Sequence, residues 1–282
     1  MSNLCIVGLG MIGGSLAAAL KKAGYQGEIT ALVRRDSNGE RGVELGFIDR
    51  YSVHPQDVIK SADMVMLAVP MLSMREQMIA IREFLKPSAV VTDAGSVKGP
   101  FIEDAREVLS DLTRVVPGHP IAGREKTGVD ASDATLYQQK RVLLTPLAES
   151  NEASVNAVQR LWEQAGAMVE HLDPKQHDRV LAATSHLPHV VAFALVDALA
   201  TQNESEEIFR YAAGGFKDFT RIASSDAVMW RDVCLTNRDA ILASMDNLDE
   251  HMKQLRNAIE SGDSDAIERT FVRAKKARDE NT

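Results

Sequence analysis

The sequence predicts an α/β chain in two parts, a doubly wound, mainly parallel sheet over residues 1–172 and an all-helical part over residues 173–282. Three observations carry that expectation. Short apolar runs alternate with amphipathic stretches through the first part, as parallel strands wrapped by helices require. The alternation stops after Leu172, where Asp173-Pro174 places an N-cap residue ahead of a proline at the first helical position. Glycines cluster directly behind the first apolar run, at Gly8, Gly10, Gly13 and Gly14.

The elements follow in chain order. Leu4 to Val7 reads as the first strand, and Gly8-Leu9-Gly10-Met11-Ile12-Gly13 opens a helix-like run through Leu20. This is G-x-G-x-x-G in strand-turn-helix context, the mark of a Rossmann-type dinucleotide site. The first glycine permits the tight turn, the second lets the backbone approach a pyrophosphate, and the third lets helix and strand pack closely. Free amides at the helix start then face the phosphates. Ile29 to Val33 is the second strand, followed by Arg34-Arg35-Asp36-Ser37. An NAD site of this kind carries an acidic side chain about 20 residues after the last glycine. Here Arg34 and Arg35 stand there instead and can grip a 2'-phosphate, with Ser37 adding a hydroxyl, so NADP is expected ahead of NAD. The alternative keeps Asp36 as the ribose acceptor for NAD. Further strands are read at Met64 to Val69, Ala89 to Thr92, Val115 to Val116, Val142 to Thr145 and Met168 to Leu172. Val69 and Pro70, at the carboxyl end of the first of these, join the cofactor set.

In the helical part, the stretch from Pro174 to about Ala200 is apolar through its middle, with Leu181, Leu187, Val190, Val191, Phe193, Leu195 and Leu199. A helix of that kind is expected to be buried nearly all round. Ile241, Met245, Leu248, Met252, Leu255 and Ile259 alternate spacings of four and three, which draws one narrow seam along a long helix. An internal helix pair satisfies this pattern. A second copy of the chain satisfies it better, because a small helical part has little core of its own, so a homodimer is expected.

Composition bounds the rest. Subtracting 40 acidic from 32 basic side chains leaves a formal charge of -8, which repels phosphate polymers and anionic membranes. No nucleic-acid or membrane partner is expected. Cys5 and Cys234 lie in different parts of the chain, so neither a disulfide framework nor a zinc knuckle is available, and a reducing cytoplasm fits. No basic leader opens the chain and no apolar run approaches the roughly 18 residues of a membrane span.

Three polar clusters remain. Asp93-Ala94-Gly95-Ser96-Val97-Lys98 and Gly118-His119-Pro120-Ile121-Ala122-Gly123 are expected in loops at the carboxyl edge of the sheet, the ligand side of such folds. The third is split between Ser185-His186-Leu187-Pro188-His189 and the run Gly214 to Ala223, which contains Arg221. Together with the glycine turn, this set resembles the prephenate and arogenate dehydrogenase family of tyrosine biosynthesis, in the same order over nearly the whole chain. The resemblance implies oxidation of the ring C4 hydroxyl by hydride transfer to NAD(P), coupled to loss of the ring carboxylate as CO2. It implies His119 as the proton acceptor, a role suited to a histidine, and Ser96 as the group that orients it. Arg221 matches the residue holding the side-chain carboxylate, His186 and His189 match the helix histidines of the substrate pocket, and Glu125 matches an acidic residue near its entrance. Position 124, often small and polar in the family, is arginine here, which leaves prephenate against arogenate open. With no βαββαβ pattern near residue 280, tyrosine inhibition is expected to act at the active site itself.

Each assignment has a duller competitor. His119 before Pro120 could simply pack a loop, His186 and His189 could be satisfied core histidines, and Arg221 could pair with Asp218 or Asp226. A metal pair is not expected, since helical zinc histidines are usually four apart with a glutamate between. Two rival functions stand: a β-hydroxyacid dehydrogenase or imine reductase using Lys217, and a non-catalytic dinucleotide sensor.

Overall fold

The computed structural model describes residues 2–124 and 126–281. Six parallel strands form the main sheet: β1 (Leu4–Val7), β2 (Ile29–Leu32), β3 (Arg50–Ser52), β4 (Met64–Leu67), β5 (Val90–Asp93) and β6 (Val115–Val116). Their order, β3-β2-β1-β4-β5-β6, is that of a Rossmann sheet, with the reversal of strand order falling between β1 and β4. Every residue of β1, β2, β4 and β5 is buried, as runs of valine, isoleucine and leucine covered on both faces require. Alternation divides the core: Leu4 and Ile6 point into one apolar cluster, Cys5 and Val7 into the other. The intervening helices are α1 (Met11–Lys22), α2 (Asp36–Glu44), the short α3 (Pro55–Val58), α4 (Met74–Ile81) and α5 (Gly99–Val108). The strand β3 escapes sequence reading because three half-buried residues, one of them Arg50, carry no apolar run.

A second, three-stranded sheet follows: β7 (Gly118–Pro120), β8 (Arg141–Leu144) and β9 (Met168–His171), with α6 (Glu152–Gln164) between the last two. β7 runs antiparallel to β8, and β8 parallel to β9. His119 is therefore not in a loop, as the sequence reading has it, but on a strand, opposite Leu143. Three residues containing glycine and proline give no strand signal of their own.

From Pro174 onward the chain is helical. α7 (Pro174–Leu181) is capped by Asp173, whose side chain accepts from the Gln176 N–H. It runs through a π-helical turn (Ala182–His186) into α8 (Leu187–Ala200). Pro188 has no N–H to return to the preceding turn, which accounts for the wider turn ahead of it. Then come α9 (Ser205–Arg210), α10 (Gly214–Thr220), a 3-10 turn (Arg221–Ser224), α11 (Ala227–Thr236), α12 (Arg238–Ser261) and α13 (Ser264–Asn281).

Two expectations change here. The helix Pro174–Ala200 is long and apolar enough to cross a membrane, the one such helix among the described residues, because its polar residues interrupt the run without lowering its average enough. Nor is it buried all round: only 22% of its most apolar window is covered within the chain, and Ala192 is the one buried residue of α8. The α12 seam behaves likewise. Ile241 is buried, whereas Met252 and Ile259 at its far end are exposed, as are Phe271 and Val272 of α13.

Candidate active site

At the carboxyl end of β1 the glycine turn meets its steric demands. Gly8 has φ +95°, and a Cβ there would lie 2.6 Å from the Ala68 carbonyl oxygen and 2.7 Å from Val69. At Gly13 it would lie 2.4 Å from the Gly8 carbonyl oxygen and 2.8 Å from Ile6. Gly10 differs, since nothing of the chain stands within 4 Å of a Cβ there. The chain's own packing does not demand glycine at Gly10, and the open space lies in front of a helix start without a side-chain cap. Buried Tyr137 donates its hydroxyl to the Ile12 carbonyl at 2.7 Å and so holds this first turn. Amides of α1 with open space before them fit the pyrophosphate of a dinucleotide. Leu9 is buried on the core side and Met11 and Ile12 are half-buried. Val69 is half-buried and Pro70 exposed, directly behind β4. At the end of β2, Arg34, Arg35, Asp36 and Ser37 are all exposed; Arg35 precedes α2, and Asp36 and Ser37 lie in its first turn.

A second group forms where β5, β7 and α7 converge. Asp93 ends β5, and Lys98 lies just ahead of α5; both are fully buried and paired at 2.5 Å. Lys98 Nζ also donates to the Gly118 carbonyl at 2.6 Å, while Asp93 accepts the Gly95 N–H at 2.8 Å and the Gly118 N–H at 3.1 Å. The pair thus ties the Ser96 loop to the strand of His119. Burial pushes the Asp93 carboxyl up and the Lys98 ammonium down, each opposed by its partner. Ser96 itself is half-buried in this loop.

The histidines form a chain whose protons can be assigned from their ends. His177 Nδ1 lies 2.8 Å from Asp178 Oδ1. Below the usual carboxylate range Asp178 is an acceptor: burial alone would raise its pKa, but hydrogen bonds from His177 and from the Lys98 and Gly99 N–H groups, both at 2.8 Å, bring it down. His177 Nδ1 therefore carries a hydrogen and, in the neutral ring, Nε2 is bare. His119 Nδ1 stands 2.9 Å from that bare nitrogen, so it must donate. The lone pair of His119 is left on Nε2. Burial, then the neighbouring His177, Lys98 and His186, push the His119 pKa well below 6.5, so the ring is neutral at neutral pH.

The same logic fixes His186. The Asn237 side-chain nitrogen donates to the Asp178 backbone carbonyl at 2.8 Å and lies 3.0 Å from His186 Nδ1. An amide N–H meets an acceptor there, so His186 carries its hydrogen on Nε2. That buried N–H has no partner among the described residues. Burial first, then His177, brings the His186 pKa down to about 4. His189, one turn on, donates Nδ1–H to the Ser185 carbonyl at 2.9 Å and stacks on Trp230 with ring centroids 3.6 Å apart. Arg221 opens the 3-10 turn that packs on α8, the helix of His189. Glu125 lies outside the described residues. The family departure at Arg124 is an exposed ion pair with Asp133. No group of His, Cys, Asp or Glu suited to a metal occurs among the described residues.

The structure thus brings His119, His186 and His189 into one neighbourhood and adds Asp93, Lys98, His177, Asp178 and Asn237, to which sequence reading gave no role. His177-Asp178 directly behind the Asp173-Pro174 cap, and an acidic and a basic residue closing a buried strand and opening the next helix, were the available signals.

Comparison with known proteins identifies the family. Residues 16–171 match the model of the prephenate dehydrogenase nucleotide-binding domain, and residues 173–273 that of the prephenate dehydrogenase dimerization domain. The cyclohexadienyl dehydrogenase of Zymomonas mobilis is 36% identical over 280 residues, covering 98% of this chain and 94% of its own. The prephenate dehydrogenase of Bacillus subtilis is 34% identical over 286 residues, covering 98% and 75%. A crystal structure of prephenate dehydrogenase from A. aeolicus, in complex with hydroxyphenyl propionate and NAD+, superposes with a TM-score of 0.93 at 38% identity, covering 100% of this chain and 99% of that one. The chain belongs to the prephenate dehydrogenase family.

Proposed function

We propose that this chain converts prephenate, arogenate or both to 4-hydroxyphenylpyruvate or tyrosine, by oxidation with NAD(P) and loss of CO2, as a cytoplasmic homodimer. The observation that carries the reading is buried His119, its Nδ1 turned to His177 Nε2 at 2.9 Å and its pKa pushed down by burial, beside the Ser96 loop. A bound nicotinamide supplies the hydride acceptor for the C4 hydrogen. His119 Nε2 takes the C4 hydroxyl proton as that O–H bond breaks and C4 becomes a carbonyl. When the ring carboxylate leaves as CO2, its bonding pair enters the ring and reaches the C4 oxygen. That oxygen takes the proton back from His119, so aromatisation regenerates the base without solvent.

The remaining residues bind and orient. Ser96 orients the hydroxyl towards His119, and Arg221 receives the side-chain carboxylate, for which a guanidinium is the natural partner. The Nε2–H of His186, unpartnered among the described residues, would offer a neutral donor to a substrate oxygen, and His189, braced on Trp230, would line the same pocket; Glu125 would stand near its entrance. Arg124 is matched by Asp133, so it adds little net charge to that entrance. Gly8, Gly10 and Gly13, with Leu9, Met11, Ile12, Val69 and Pro70, would cradle the dinucleotide. The exposed Arg34, Arg35 and Ser37 favour NADP, and Asp36 in the first turn of α2 is what NAD would use. The division near residue 172 separates this cofactor part from a helical part whose uncovered α8 and α12 faces a second copy would cover.

Purified protein incubated with prephenate or arogenate, and with NAD or NADP, tests this by the absorbance of reduced cofactor. Turnover with either substrate supports the reading. No signal with either defeats it, and a Michaelis constant for NAD well below that for NADP would reverse the cofactor preference.

A further inference from the structure

Resting on that reading, we propose that His177 and Asp178 are positioning residues for His119: they fix its tautomer, and the Asp178 carboxylate is the counter-charge for the proton that His119 takes from substrate. The charges facing His119 lead to this assignment. From the segment after β5 it meets Lys98, a cation whose own partner Asp93 is already matched to it. From the π-helical turn it meets His186, itself beside His189. From α7 it meets His177. Lys98 and His186 both disfavour a positive His119. Among the described residues, the one anion in line with it and not already matched by a buried cation is Asp178, reached through His177 by two hydrogen bonds of 2.9 and 2.8 Å.

During turnover the hydroxyl proton forms a new N–H bond at His119 Nε2. The positive charge spreads along the chain as the Nδ1 hydrogen shifts towards His177 Nε2 and the His177 Nδ1 hydrogen towards Asp178. No bond to solvent is involved, and each hydrogen moves back when the phenolic oxygen reclaims its proton. Asp178 does a second thing at the same time. It accepts the Lys98 and Gly99 N–H groups, so the carboxylate that steadies His119 also anchors the loop carrying Ser96. Asn237 holds the Asp178 main chain from the opposite side and sets His186. One short stretch of α7 thereby sets the hydrogen-bonding state of two site histidines.

The test compares wild type, Asp178→Asn and His177→Gln. Glutamine at 177 keeps an oxygen able to accept from His119 Nδ1 but ends the link to the carboxylate, and it leaves the Asp178 bonds to Lys98 and Gly99 in place. In both variants kcat should fall about tenfold or more, short of the roughly 10²–10⁴-fold that a general base itself contributes. The Michaelis constant for the dinucleotide should stay within about twofold. The acidic limb of the pH profile should move to lower pH by about one unit, because a His119 without its counter-charge is a weaker base. Loss of packing alone would lower activity without moving the limb. In resting wild type, histidine-selective 15N NMR should show His119 with hydrogen on Nδ1. A hydrogen on Nε2, or a fixed acidic limb with kcat within twofold in His177→Gln, overturns the proposal. Wild type without turnover would overturn the functional reading instead, which separates the two failures; should Asp178→Asn not fold, His177→Gln and the NMR measurement still decide.

Discussion

Replacing Lys98 by methionine is the most informative single perturbation of the scaffold. Lys98 and Asp93 are fully buried and paired at 2.5 Å, and methionine preserves the apolar stem while deleting the ammonium. Asp93 keeps two backbone donors, Gly95 and Gly118, but loses the one buried counter-charge it has among the described residues. Breaking a buried pair from one side costs about 3–5 kcal/mol, a large share of the roughly 5–15 kcal/mol that holds a domain together. The cost should depend on pH in a definite direction. Without Lys98, burial raises the Asp93 pKa further above 3.8. A carboxyl whose folded pKa is raised stabilises the fold below its unfolded pKa and loses that stabilisation as pH climbs through the folded value. The deficit of Lys98→Met relative to wild type should therefore be largest near neutral pH and shrink towards about pH 4. Urea unfolding at several pH values, followed by fluorescence of the buried Trp162 and Trp230 and by circular dichroism, measures it. Adding Asp93→Asn to Lys98→Met should recover part of the loss, since the orphaned charge is gone. A deficit under about 1 kcal/mol, the scale of an exposed pair, or one that grows on acidification, would refute the reasoning.

The remaining expectations concern cofactor, substrate and acid stability. Gly13→Ala should lower the melting temperature, since its Cβ meets backbone at 2.4 Å, whereas Gly10→Ala should leave it unchanged and raise the Michaelis constant for the dinucleotide; thermal scans with and without cofactor separate them. Arg221→Ala should raise the Michaelis constant for prephenate far more than that for the dinucleotide, and equal effects would remove it from the carboxylate site. Burial brings the His186 pKa down from 6.5 to about 4 in the folded chain. Unfolded chains bind more protons across that window, so stability should fall by about 3 kcal/mol from this residue as pH drops through it. His186→Gln should flatten that fall in denaturant titrations by about one proton's worth.

Much of the fold was legible because parallel strands buried on both faces write themselves as apolar runs, as in Leu4–Val7 and Met64–Leu67. β3 and β7 were not, since Arg50–Ser52 and Gly118–Pro120 owe their strand geometry to neighbours rather than to composition. The burial of α8 is not legible in the sequence for a related reason. An all-apolar helix says that it will be covered, not by which chain. In the site, the glycine turn and His119 stood out by residue type and spacing. His177, Asp178 and Asn237 did not, because their roles depend on contacts with residues 58, 80 and 51 positions away. A tautomer is a property of the assembled network, which no local pattern encodes.

In the proposed reaction hydride leaves C4 while His119 receives the hydroxyl proton. Prephenate deuterated at C4, turned over with oxidised cofactor, follows that event directly. One deuterium is expected in each reduced nicotinamide, with one CO2 for each, and near-complete loss of both in His119→Asn with its fold intact. Reduced cofactor without deuterium, CO2 without reduced cofactor, or near-full turnover by His119→Asn would contradict it.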